Sequence, residues 1–148
     1  MRTRNALALL VTVLFAVPVD AHEGATGFAK ERMDAMSGMG HAMKDVSHSI
    51  ESNRNLAGIA ESAAIVHETA LKIPQLFPPG SGGGITDAKP IIWEQWDQFQ
   101  AKAQDLAAAA SALGGIASSG DPKAIFAQYS AVTHACSGCH DTYRQKHK

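Results

Sequence analysis

One stretch limits what this chain can fold into more than any other. Ile92, Trp96, Phe99, Ala103, Leu106, Ala110, Leu113 and Ala117 recur at alternating steps of four and three residues. That spacing puts all of them on a single stripe of an α-helix, and a strict heptad stripe is buried only when other helices pack along it. The rest of the chain must supply those partners, and two more stripes lie upstream. Arg32, Met36, Met39, Met43, Val46 and Ile50 mark a helix from about Phe28 to Ile50, which the polar cluster from Ser47 to Asn55 breaks or bends. Leu56, Ile59, Ala63, Val66, Ala70 and Ile73 mark a second helix, which ends near Pro74 because proline disfavours helical geometry in the residue before it.

Residues 74–87, rich in proline and glycine, form the one long irregular connection. Leu76 and Phe77 make it too apolar for a linker between domains, so it reads as a loop packed over a single domain. Asp87 and Pro90 suit the first turn of the third helix, which carries the heptad stripe through Gly114 and Gly115 and stops at Gly120. Asp121-Pro122 then opens a fourth helix as N-cap and first helical residue. Its inner series is Ile125, Tyr129, Val132, Cys136, Cys139 or His140, and Tyr143. Four amphipathic helices, rich in alanine and joined by two short connections and one longer one, predict an all-α antiparallel four-helix bundle.

Arg2 and Arg4, the apolar run from Ala6 to Val19 and the small-x-small triplet Val19-Asp20-Ala21 read as a secretory signal peptide, cleaved after Ala21. Residues 22–148 then form one domain, exported to the periplasm, with no other segment apolar enough for a membrane span. Setting Arg2, Arg4 and Asp20 aside from the 13 basic and 14 acidic residues leaves 11 and 13, a formal charge of minus 2. No basic stripe suits nucleic acid. Arg144, Lys146 and Lys148 concentrate positive charge at the C-terminus, either as a rim beside a site or as ordinary cations at a helix C-terminus.

The only two cysteines lie in Cys136-Ser137-Gly138-Cys139-His140. C-x-x-C-H is the attachment pattern for c-type haem. On a helix both sulfurs share one face and can reach two vinyl groups at one porphyrin edge, while His140 offers an imidazole nitrogen to iron from below. A structural disulfide, a redox pair, or a zinc site using His134, Cys136, Cys139 and His140 are the competing readings. No βαβ alternation supports a redox protein, and no second C-x-x-C supports closed zinc. On the other side of iron, the first helix offers Met33, Met36, Met39 and Met43. Methionine stripes are commonly core packing, yet Met36 lies one turn beyond Arg32, a residue suited to a haem propionate at the rim. His41 and His67 fall beside their stripes, where a surface or satisfied position is expected. A copper- or zinc-binding bundle built on these methionines and histidines is a further alternative.

Five segments carry a family resemblance: Arg32-Met33-Asp34-Ala35-Met36, Phe77-Pro78-Pro79-Gly80-Ser81, Lys89-Pro90-Ile91-Ile92-Trp93, Cys136 to His140, and Tyr143-Arg144. Over essentially its whole mature length the chain resembles the class II c-type cytochromes, the cytochrome c′ family. The resemblance implies an up-down-up-down bundle with haem in the core near the C-terminal helix. It implies one covalent haem c per chain, thioethers from Cys136 and Cys139, and His140 as proximal ligand. It also implies Arg32 near a propionate, with Arg144 and Trp93 in the haem environment, Trp93 serving equally as a core residue. The position matching Met36 is an apolar wall in five-coordinate, gas-binding members and a methionine ligand in low-spin members; the sequence from Met36 to Gly40 is more like the low-spin pattern. The expected function is therefore one-electron transfer with redox partner proteins through a His140/Met36 haem, the alternative being high-spin binding of nitric oxide or carbon monoxide. No paired carboxylates, nucleophile or phosphate loop points to an enzyme. A homodimer through the first two helices is a family trait that their small residues would permit.

Overall fold

The computed structural model describes residues 25–146, so the signal peptide expected over 1–21 lies outside the described residues. Four long helices, α1 (Gly27–Ser52), α2 (Leu56–Lys72), α4 (Trp96–Ala117) and α5 (Pro122–Tyr143), are joined in part by a short helix, α3 (Ile91–Glu94), and a 3₁₀ turn over Ile73–Leu76. Among the described residues, none of these helices is long and apolar enough to cross a membrane.

The contacts establish an antiparallel order. Arg32 at the start of α1 bonds Leu76 beyond the end of α2. His67 late in α2 meets Ala107 midway along α4, while Gly114 late in α4 lies against Ala63 earlier in α2. Gln128 of α5 reaches Ala109 of α4, and Tyr143 at the end of α5 reaches Gln95 at the start of α4. Each helix packs chiefly on its neighbours in sequence, and the ring closes where α1 meets α5, the least extensive of the four long contacts. That is the up-down-up-down bundle.

The stripes are the core. Every heptad residue of α4 is buried except Trp96, which packs partly buried against the cluster. Ile59, Val66, Leu113, Ile125, Val46 and Val132 are fully enclosed. Burying a large aliphatic side chain is worth about 1.5–3 kcal/mol relative to leaving it exposed, so this cluster dominates the stability of the domain.

The structure departs from the periodicity at three places. The polar segment from Ser47 leaves α1 intact as far as Ser52, and the chain turns only at Asn53, whose φ of 49° is left-handed; Asn55 at φ 53° completes the reversal. Asparagine tolerates this conformation better than other residues that carry a side chain. The third helix is interrupted at Gln95 (φ −115°, ψ 44°), yet the Gln95 amide still donates to Ile91 and its carbonyl still accepts from Phe99, so this is a kink rather than a break. Pro90 stands at the N-cap of α3 rather than opening it, and the Asp87 carboxylate pairs with Arg144. At the start of α5 the expected cap is present, the Asp121 carboxylate accepting from the Lys123 amide at 3.0 Å with Pro122 in the first turn.

Candidate functional site

One pole of the bundle gathers the start of α1, the end of α2, the loop after it, α3, and the last turns of α5. The antiparallel contacts bring the start of α1, with Arg32 and Met36, and the last turns of α5, with the Cys136–His140 segment, to this same pole. The sequence stripe on α5 is therefore not uniformly deep. Ile125, Val132 and Tyr143 are buried, but Tyr129, Cys136, Cys139 and His140 are only half-buried, because α1 does not close over this side of α5.

Cys136 and Cys139 are free thiols packed against the edge of the core. Burial raises both thiols, Cys139 to about 11 against the opposing pull of Lys102. The same apolar setting lowers His140, assisted by the Arg144 guanidinium and opposed by Asp141. A neutral imidazole next to two neutral, unpaired thiols on one helical face is a donor set that fits c-type haem: the sulfurs are available for thioether bonds and the ring nitrogen for iron. Among the described residues no three His, Cys, Asp or Glu side chains are placed to hold a metal ion by themselves.

On α1, Met39 and Met43 are sealed in the core, whereas Met36 is only partly buried and packs on its edge. His41 is exposed, and His67 is satisfied by Ala107 at 2.9 Å. His134 is exposed. Arg32 is 5 % exposed, and burial lowers its pKa. Its Nε donates to the Leu76 carbonyl at 2.7 Å, one Nη donates to the Ser81 hydroxyl and the other reaches Thr86 Oγ1 at 3.5 Å. The guanidinium lies 4.1 Å from the centre of the Phe77 ring, close enough for a cation–π contact. Trp93 donates from Nε1 to the carbonyls of Phe77 and Pro78 at 3.0 and 3.1 Å. A Cβ at Gly82 would come within 2.8 Å of the Trp93 ring, so only glycine lets the loop cross it without a shift. Phe77, Phe99 and Tyr143 stack edge to face beneath, with centroids 4.9 and 5.3 Å apart.

Arg144 is largely exposed and bonds Asp87 at 3.2 Å, while Lys146 pairs with Asp141 at 2.8 Å. The C-terminal positive charge is thus partly neutralised, and it is Lys89 that donates to an α5-terminal carbonyl, Thr142 at 3.1 Å. Sequence reading missed the loop's second attachment. Ala88 and Arg144 form an antiparallel bridge, in which the Lys89 amide donates to Tyr143 at 3.0 Å and the Gln145 amide to Asp87 at 2.7 Å. Only one signal for these ties was available, an arginine standing on an otherwise apolar stripe.

Residues 28–144 match the family described as Cytochrome C′. The chain is 32% identical over 123 residues to cytochrome c′ of Pararhodospirillum photometricum, covering 80% of this chain and 96% of that protein. It is also 32% identical to cytochrome c-556 of Agrobacterium tumefaciens, covering 81% and 98%. Among solved structures, cytochrome c′ from Rhodopseudomonas palustris superposes with a TM-score of 0.75 at 31% identity, covering 84% of this chain and 100% of that one. A nitric oxide complex of a mutant cytochrome c prime from Alcaligenes xylosoxidans superposes with a TM-score of 0.72 at 26% identity, covering 81% and 94%.

Proposed function

Because the chain belongs to the cytochrome c′ family, we propose that it is a periplasmic one-electron carrier whose haem iron is held between His140 and Met36. At the family level it is a haem protein, an electron carrier or gas binder, with one covalently attached haem c per chain. Cys136 and Cys139 supply the thioether bonds, and His140, following directly on the same helix, supplies the proximal nitrogen. Bound there, haem supplies an iron that cycles between ferric and ferrous states.

The observation that carries the reading is the position of Met36. It is partly buried at the edge of the core on α1, while Met39 and Met43 are committed to the core. A thioether held there favours ferrous iron relative to harder ligands, and a ligand set that is the same in both oxidation states keeps reorganisation small. Arg32 stands one turn before Met36 on the same stripe, the position the family resemblance assigns to a propionate. Arg144 borders the proximal side, and its charge already acts on His140. Trp93 holds the loop at the same pole.

Absorption spectra of the oxidised, reduced and carbon monoxide-treated holoprotein test this. A split, low-spin reduced spectrum that ignores carbon monoxide and is lost in Met36→Ala is expected. A Met36→Ala protein with an unaltered spectrum and potential rejects Met36 as ligand, and prompt carbon monoxide binding by the wild type moves the function to a five-coordinate gas binder. The partners of the carrier are redox proteins. A homodimer through α1 and α2 is consistent with Gly38 and Gly40, since a Cβ at either would meet nothing within 4 Å in the monomer.

A further inference from the structure

The two helices that face each other across the site barely support one another. Among neighbouring long helices α1 and α5 have the least mutual contact, so direct packing does little to set the opening between Met36 and the Cys136–His140 segment. The loop between α2 and α3 is tied to both. On the α1 side, Arg32 bonds Leu76, Ser81 and Thr86. Thr86 Oγ1 also accepts from the Ala88 amide at 3.2 Å, which carries the tie two residues further. On the α5 side, the Lys89 amide donates to Tyr143, the Gln145 amide donates to Asp87, and Arg144 donates from Nε and Nη to Asp87 Oδ2 at 3.2 Å. The loop over residues 76–89 thus connects the start of α1, chiefly through Leu76 and Ser81, to the end of α5 through residues 87–89.

We propose that the loop over residues 76–89 is a strap that sets the α1–α5 opening and thereby controls access to the α1 face of the haem. Arg32 and Asp87 act through it as positioning residues. The proposal rests on the reading that haem occupies this opening. It is independent of whether Met36 binds iron, because a small ligand must pass between the two helices in either case.

The test loosens the α5 end of the strap away from the cysteines. Asp87→Ala removes the ion pair with Arg144. Gln145→Pro removes one N–H donor at a position where the preceding residue is already extended (Arg144 φ −107°, ψ 137°), as proline requires. Lys30→Ala is the control, because it cuts an exposed ion pair confined to α1. Two readouts are taken on the holoprotein, exchange of the Lys89 amide by NMR and the rate of carbon monoxide binding to the reduced protein. With two exposed side-chain bonds and one backbone bond lost, the double variant should show faster Lys89 exchange and bind carbon monoxide about fivefold faster, or bind it measurably where the wild type does not. Each single variant should move the same way by less, and these carry the test if the double variant does not fold. Lys30→Ala should match the wild type. Faster Lys89 exchange with unchanged carbon monoxide binding overturns the proposal, as does Lys89 exchange that does not respond. A Met36→Ala spectrum identical to wild type rejects the electron-carrier reading alone, while the strap effect persists.

Discussion

Arg32 offers the sharpest quantitative test of how this pole is held together. It is the one buried charged side chain among the described residues, and it is spent on the loop. In Arg32→Met the Leu76 carbonyl loses a 2.7 Å charge-assisted bond, worth about 1.5–3 kcal/mol. The stacking on Phe77 contributes about 1 kcal/mol more. Two other bonds matter less. Thr86 lies at 3.5 Å, near the limit of a useful bond, and the Ser81 hydroxyl keeps its bond to Pro78 at 2.7 Å. Against the loss, methionine removes the cost of burying a cation, which offsets about 1 kcal/mol. The net expectation is a loss of about 1.5–3 kcal/mol. At this chain length about 4 °C of melting temperature corresponds to 1 kcal/mol, so the holoprotein should melt about 6–12 °C lower by circular dichroism. Arg32→Lys should fall in between, because an ammonium keeps the charge but cannot fork to several oxygens. A melting temperature for Arg32→Met within about 2 °C of wild type refutes the argument that this guanidinium anchors the loop.

Gly115→Ala should raise stability by about 0.5–1 kcal/mol in chemical denaturation, because Gly115 is helical and a Cβ there meets nothing within 4 Å; destabilisation would mean the heptad helix is not continuous at that point. Burial raises the Tyr143 phenol, with Cys139 adding only while it is a free thiolate, so in the holoprotein Tyr143 should titrate above about 10 by tyrosine-selective NMR. A raised phenol keeps its full contribution below the unfolded value of about 10 and loses it as the pH climbs through the folded value, so stability should decline on the alkaline side; titration of Tyr143 below 10 contradicts its enclosure. Cys136→Ser/Cys139→Ser should leave haem extractable by acidified organic solvent, whereas the wild type retains it in the polypeptide through denaturation.

Elements whose signal is local were legible in the chain. The stripes of α2 and α4 matched burial almost residue by residue, since a helix's period converts spacing into a face without reference to anything distant. Asp121-Pro122 was readable for the same reason, because a cap acts on its own next turn. The kink at Gln95 was not, because it answers to the loop and the end of α5 packed around it. The expectation that polar residues from Ser47 onward would break α1 failed because solvent-facing polar residues do not end a helix; the left-handed asparagines after Ser52 do.

The site divides along the same line. The sequence by itself determined the chemistry, two thiols and an imidazole on one helical face, and the helical stripes that must pack together to bury themselves. Only the tertiary structure decided which methionine stands at the opening, how deep each thiol lies, and what Arg32, Asp87 and Arg144 bond. Those outcomes depend on antiparallel register and on a loop that ties Arg32 to Tyr143, more than a hundred residues apart in the chain. Spacing along one helix carries no information about either, because the partners are set by which surfaces remain uncovered once the core has closed.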